Sequence, residues 1–225
     1  MTFDLLHHVP KHRRKQVLLV EFVLLFFAIP ISLYFVRTNI APYLLLVLIT
    51  MVAWCLMLLL ADPRFKRFRF WNLTVARNYW PTIGKTFFWA AVFMAFASWW
   101  FTPDWFFQLP VQKPEMWLLL LIFYPLLSAW PQEIIFRTFM FHRYKKVFKS
   151  KQLRAILSAL SFSLAHLLFA NWFAVVGSFF AGLVFAYTYM NSRSTLLVAI
   201  EHSLWGCWLF TAGLGVHFDS NFLTQ

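Results

Sequence analysis

The stretch WPQEIIFR, residues 130–137, places a carboxylate and a guanidinium one helical turn apart inside a long apolar run. Two further apolar stretches each carry a lone histidine, His166 and His202. Ionisable side chains are costly in hydrocarbon, and in membrane spans they usually face a partner or a cavity. Glu133, Arg137 and the two histidines are therefore the first candidates for a functional site.

Composition indicates an integral membrane protein. Of 225 residues, 61% are hydrophobic and only 12% are charged, and the mean hydropathy is +0.66. A soluble domain of this size would expose too much apolar surface. The net charge of +12 raises the alternative of nucleic-acid binding. The basic residues follow the pattern of membrane topology instead, so we expect membrane lipid and no nucleic acid as a partner.

Hydropathy predicts an all-α, polytopic fold with about seven transmembrane helices. The spans lie near residues 16–36, 42–61, 84–101, 116–141, 154–171, 174–190 and 195–215. Most have the roughly 17–25 residues that a helix needs to cross about 30 Å of hydrocarbon. We expect a single membrane domain over residues 1–225. Three N-terminal spans fill residues 1–101, and a four-helix core of catalytic type fills residues 116–215.

Basic residues predict the orientation of these spans. They cluster before the first span and in the second, fourth and sixth connections, whereas the alternate connections carry only Arg37 and Lys113. Connections rich in lysine and arginine stay on the cytoplasmic side. The N-terminus is therefore expected in the cytoplasm and the C-terminus outside, with the protein integral to the cytoplasmic (inner) membrane.

The candidate residues lie at similar predicted depths. At about 1.5 Å per helical residue, Glu133 lies about 12 Å from the cytoplasmic end of its span, His166 about 18 Å and His202 about 10 Å. Three spans thus bring polar groups to one level, which indicates a shared cavity open to the cytoplasm. Glu133 and Arg137 share a helix face and can pair. Glu201 either orients a neighbouring imidazole or pairs with Arg137.

Two kinds of chemistry suit these residues. A glutamate and a histidine can act as general base and as an electrophile that stabilises an oxyanion. Two histidines and a glutamate can also hold Zn²⁺ with an open position. The structural alternatives are an ion pair at Glu133 and interhelical hydrogen bonds from the histidines. Glu21, in the first span, has no evident partner and is interpreted as structural or interfacial.

Three motifs resemble those of the CPBP family, the CAAX-prenyl-protease and bacteriocin-processing (Abi) intramembrane proteases. Residues 132–137 resemble EExxxR, residues 162–166 match FxxxH, and residues 202–206 resemble HxxxN or HxxxD. The order, the spacing and the placement on separate late helices also match. The resemblance covers about residues 116–215 and implies hydrolysis of peptide bonds in or near the membrane.

Two positions depart from the family pattern. The first glutamate of EExxxR, generally taken as the water-activating base, is Gln132 here, and an amide cannot accept a proton. Either Glu133 takes that role, or the site works differently, or the protein is inactive. The expected Asn or Asp of the third motif is Gly206, which removes a side chain that would help to stabilise the oxyanion.

The leading expectation is an intramembrane endopeptidase that cleaves a membrane-associated peptide or protein. Glu133 would be the base or a metal ligand, His166 would assist water activation or bind the metal, and His202 would polarise the carbonyl. Arg137 would hold Glu133 ionised and in position. Zinc and a metal-free mechanism both stay open. The alternatives are a catalytically inactive membrane scaffold or immunity protein, and a small proton-coupled transporter.

Overall fold

The computed structural model describes Pro10 and residues 12–218, and this part of the chain contains helices and no strands. Seven long helices run in the order Arg14–Phe35 (α1), Arg37–Ala61 (α2), Ala76–Phe101 (α3), Pro114–Arg143 (α4), Lys151–Phe169 (α5), Trp172–Ser192 (α6) and Thr195–Ala212 (α7). Short helical turns cover Arg67–Phe70, Pro103–Trp105, Gln108–Gln112 and Leu214–Phe218. The expectation of an all-α polytopic fold is confirmed.

The third of the seven predicted spans differs from the others in hydropathy. Six of these helices, in the described part of the chain, are long and apolar enough to cross a membrane. The exception is α3, which coincides with the third predicted span and is long enough at 26 residues. Lys85 and four tryptophans lower its hydropathy. Its exposed face carries large aromatic side chains such as Phe96 and Trp100, which suits contact with lipid.

The helix α4 is not regular. Widened turns of the π type cover Pro125–Ala129 and Ile134–Phe139, on either side of a short α-helical stretch, Trp130–Glu133. Proline lacks the amide hydrogen that an α-helix needs, and π-type turns often occur at functional positions within helices. The irregular middle of α4 carries Glu133 and Arg137, so ideal helical spacing does not tell which of its side chains face a cavity.

Contacts between helix ends agree with alternating topology. At one end, His142 Nε2 lies 3.0 Å from Asp62 Oδ2, and the Asn72 side chain donates to the Ser192 carbonyl oxygen at 3.2 Å. The loops rich in basic residues therefore meet there. At the other end, the Ser98 hydroxyl donates to the carbonyl oxygen of Ala212 at 2.6 Å. Which end faces the cytoplasm stays a prediction.

Close packing of α5 on α6 depends on Gly182. A Cβ atom at this position would lie 3.0 Å from the Cα of Ala159 and 3.3 Å from the Phe162 ring. The missing side chain lets the two helices approach, as small residues do between membrane helices. The approach also brings the carbonyl oxygen of Gly182 within reach of Arg137 on α4.

Candidate active site

A cavity of about 1830 Å³ lies inside the bundle, and all seven long helices contribute to its walls. The walls are mostly apolar, and the N-terminal helices supply part of them. The polar side chains that line it include Lys85, Thr86, Tyr124, Gln132, His166 and His202. Apolar walls with a few convergent polar groups are typical of a ligand or substrate site. Three of the five predicted site residues line this space: Gln132 and the two histidines.

Glu133 and Arg137 lie behind the cavity wall and do not line it. Both side chains are fully buried, and Arg137 Nε lies 3.1 Å from Glu133 Oε2. The atoms are close, but their angle does not make a hydrogen bond, so the contact is ionic. The guanidinium also donates from Nη2 to the carbonyl oxygen of Gly182 at 3.2 Å. The predicted pairing of these two residues therefore occurs.

The second carboxylate oxygen of Glu133 contacts His202. Nδ1 of His202 lies 2.8 Å from Glu133 Oε1. A carboxylate can only accept, so the network assigns the Nδ1 proton to His202. The Nε2 atom of His202 is thereby directed away from Glu133, and the ring of Phe185 stacks on the imidazole at 4.8 Å between centroids. A carboxylate that orients a histidine in this way is a recurring feature of catalytic sites.

His166 has a comparable arrangement with a different acceptor. Regular α-helix ends at Ala165, and a tight turn, His166–Phe169, follows. Nδ1 of His166 donates to the carbonyl oxygen of Phe162 at 2.7 Å. The tautomer that this bond selects leaves the Nε2 lone pair free. His166 thus presents an unprotonated nitrogen, the form that a general base requires.

The ring of Phe162 joins the predicted residues into one cluster. Its centroid lies 4.6 Å from the His166 ring and 5.4 Å from the His202 ring. The guanidinium carbon of Arg137 lies 4.6 Å from the same ring centroid, in a cation–π contact. The predicted contact between Phe162 and His166 is therefore present, and the same ring also spaces the two histidines.

Gln132 faces the cavity, while the next residue, Glu133, does not. The Gln132 amide nitrogen donates to the Ser128 hydroxyl oxygen at 2.7 Å. No aspartate or glutamate of the described residues lines the cavity. The first of the two departures from the family pattern, Gln132, therefore lies at the site itself, where a neutral amide occupies a position from which a carboxylate could contact water.

Glu201 takes neither of its two expected partners in the described part of the chain. Its Oε1 accepts a hydrogen bond from the Thr86 hydroxyl of α3 at 3.2 Å, and no ion pair joins it to Arg137. Its side chain is fully buried, on the side of α7 that packs against α3. The residue thus fixes α7 against α3, beside His202.

Sequence reasoning missed Tyr124. Its hydroxyl oxygen lies 3.0 Å from His202 Nε2, and its ring fills the space above Gly206. The available signal was a lone tyrosine in the apolar stretch of residues 117–127. Helical spacing links it to nothing on α7, so only the packing of α4 on α7 reveals the contact.

The described residues do not fit a zinc site. No three histidine, cysteine, aspartate or glutamate side chains among them converge in a way that could hold a metal ion. Both oxygens of Glu133 already contact Arg137 and His202. A metal at Glu133 would have to displace this buried network.

Comparison with known families agrees with the motifs. Residues 114–208 match the family model described as Type II CAAX prenyl endopeptidase Rce1-like. This segment is Rce1-like. The match confirms the resemblance to the CPBP intramembrane proteases, and the family is one of proteases. The Rce1-like segment begins with α4 and contains all five predicted site residues. No curated protein and no solved structure matches the chain.

Proposed function

We propose that the protein is an intramembrane endopeptidase that hydrolyses a membrane-associated peptide or protein. The observation that supports it most is that two histidines line the same cavity, each with Nδ1 held by an oxygen acceptor. Fixed histidine tautomers are what acid–base chemistry needs. The Rce1-like match supplies the reaction class.

His166 is the general base of the proposed reaction. Its Nε2 takes a proton from a water molecule as the water oxygen adds to the peptide carbonyl carbon, and the carbonyl π electrons move to oxygen. When the tetrahedral intermediate collapses, the same proton passes to the leaving amine. Gln132 cannot take this proton, but its side-chain oxygen can accept a hydrogen bond from the water and orient it.

Glu133 is a positioning residue in this scheme and not the base that contacts water. It is fully buried, it does not line the cavity, and its carboxylate contacts His202 and Arg137. It holds His202 in one tautomer and stabilises the imidazolium form. His202 then contributes positive charge where negative charge develops on the carbonyl oxygen.

The walls of the cavity suit a substrate with apolar groups. Tryptophan, phenylalanine and leucine side chains from the N-terminal helices complete it, including Leu48, Trp89 and Phe93. A lipid-modified or strongly apolar peptide segment would bury these surfaces. Such a peptide is therefore the substrate class that we propose.

Cleavage by the purified protein in proteoliposomes tests the function. The probe is an internally quenched peptide that ends in an S-farnesyl cysteine followed by three residues, alongside the same peptide without the farnesyl group. We expect the farnesylated peptide to be cut, with a loss of roughly 10²–10⁴-fold in kcat for His166→Ala, the range for a general base. His12→Ala, at an exposed residue, is the control. Unchanged cleavage by His166→Ala would refute this mechanism.

One observation favours a second function, a peptide-binding scaffold or immunity protein. No carboxylate of the described residues faces the cavity, because Gln132 takes the exposed position and Glu133 is buried. A photo-crosslinking version of the farnesylated peptide separates the two functions. A crosslinked peptide that stays intact in the wild type and in Gln132→Glu alike would favour the scaffold.

A further inference from the structure

We propose that Tyr124 is a catalytic residue whose hydroxyl donates a hydrogen bond to the oxyanion of the scissile peptide. The inference rests on the proposed peptidase function and names the group that completes that site. Tyr124 lines the cavity, so its hydroxyl can contact substrate. No covalent bond to the tyrosine forms or breaks, because the residue acts only as a hydrogen-bond donor.

The Tyr124 ring fills the volume that a side chain at position 206 would need. A Cβ atom on Gly206 would lie 2.2 Å from the Tyr124 hydroxyl oxygen and 2.3 Å from both Cε1 and Cζ of the ring. These distances are too short for any contact between unbonded atoms. A side chain at position 206 and the ring of Tyr124 therefore exclude one another. Beside Gly206 the polar group that faces the cavity is therefore the Tyr124 hydroxyl of α4 and not a side chain of α7.

A chain of hydrogen bonds runs from the Tyr124 hydroxyl through His202 to Glu133. Glu133 Oε1 contacts His202 Nδ1 at 2.8 Å, and His202 Nε2 contacts the Tyr124 hydroxyl at 3.0 Å. With a neutral His202, the hydroxyl proton points to Nε2. With an imidazolium, Nε2 donates to the hydroxyl oxygen and the hydroxyl proton is free to turn toward the cavity. The buried carboxylate stabilises this second state, in which Tyr124 is a polarised donor.

Contacts with two other rings hold the Tyr124 ring in position. The Tyr124 ring meets Phe210 edge-on at 5.5 Å between centroids, and it meets the His202 ring edge-on at 6.0 Å. The hydroxyl therefore needs little reorganisation as charge develops on the substrate, which is the condition for strong stabilisation of an oxyanion.

The first test replaces the hydroxyl alone. Tyr124→Phe should lower kcat about 10²–10³-fold, the cost of one lost oxyanion donor, with little change in KM and in thermal unfolding. Tyr144→Phe is the matched control, because this buried tyrosine also hydrogen-bonds to an acid–base network but does not line the cavity. A fall in thermal stability with an unchanged kcat would show a structural role and overturn the inference.

The second test exchanges the donor between the two helices. Gly206→Asn alone should lower kcat because the new side chain collides with the Tyr124 ring, and Tyr124→Ala alone should lower kcat at least as far as Tyr124→Phe because it also removes the donor. The double variant Tyr124→Ala/Gly206→Asn makes room for an amide donor at the same place, so kcat should recover about tenfold or more over either single variant. A double variant no better than the singles would refute the proposed donor.

The results separate this inference from the proposed function. If the wild type cuts the farnesylated peptide and Tyr124→Phe cuts it equally fast, the role of Tyr124 fails and the peptidase function stands. If the wild type cuts neither probe while binding the crosslinking peptide, the peptidase function fails, and the role of Tyr124 fails with it.

Discussion

Two glutamates, the partly exposed Glu21 and the fully buried Glu133, each pair with an arginine and connect to a tyrosine, yet their surroundings differ. Arg143 donates to both oxygens of Glu21 at 2.9 and 2.7 Å, and the Tyr144 hydroxyl donates to Oε1 at 2.9 Å. Glu133 contacts its arginine through one oxygen only.

Glu133 has one oxygen that does not contact arginine, and this oxygen allows the second site to support a reaction. At Glu21 all the donors converge on the carboxylate, so the network ends there and joins α1 to the end of α4. At Glu133 one oxygen contacts Nδ1 of His202, and Nε2 of His202 contacts the Tyr124 hydroxyl at the cavity wall. A carboxylate whose two oxygens both bind one arginine stabilises a fold, whereas one that orients a histidine can support a reaction.

The largest expected difference between the two sites is in activity. Glu133→Gln keeps the shape but removes the charge that fixes the His202 tautomer, so kcat should fall about 10²–10⁴-fold. Glu21→Gln should leave kcat unchanged in the same proteoliposome assay. Equal losses in both variants would mean that the two carboxylates have the same, structural, role.

The next difference is in stability. Arg137→Met leaves a fully buried carboxylate without its cation, which costs about 3–5 kcal/mol when one partner of a buried pair is removed. Arg143→Met should cost less, about 1–3 kcal/mol, because Glu21 stays partly accessible at 23% of its side-chain surface. Unfolding in detergent with increasing denaturant measures both. A larger loss for Arg143→Met would reverse the comparison.

A smaller effect is expected at the aromatic rings beside each network. Phe162→Leu removes the cation–π contact with Arg137 and the ring between the two histidines, which should lower stability by about 0.5–2 kcal/mol and also reduce kcat. Phe22 packs on Tyr144 at 5.2 Å, so Phe22→Leu is the control and should affect stability alone. A kcat loss in Phe22→Leu would show that the two regions are coupled.

The smallest expected effect is at Gln132. Gln132→Ala removes one neutral hydrogen bond to the attacking water, worth about 0.5–1.5 kcal/mol, or roughly 2–10-fold in kcat. Ser128→Ala, which removes only the partner of the amide, should cost less. A loss as large as that of His166→Ala would indicate that Gln132 is essential to water activation and that His166 does not act alone.

Much of the site followed from local spacing, and the exceptions are informative. The pairing of Glu133 with Arg137 and the contact of Phe162 with His166 were predicted because residues one helical turn apart are neighbours whatever the tertiary packing. The role of Glu133 as a base in contact with water stays a prediction that its complete burial does not favour. The widened turns of α4 change which side chain faces the cavity, and no periodic pattern reports them.

The sequence by itself determined the membrane class, the helices, the CPBP-type motifs and the local pairs, because hydropathy, short motifs and helical geometry depend on residues close in the chain. Only the tertiary structure decided that Arg143 is the partner of Glu21, that His202 contacts Oε1 of Glu133, and that Tyr124 fills the space above Gly206. These contacts join separate helices. Which residues meet depends on where small side chains let helices approach and where irregular turns redirect side chains, and neither follows from neighbours in the chain.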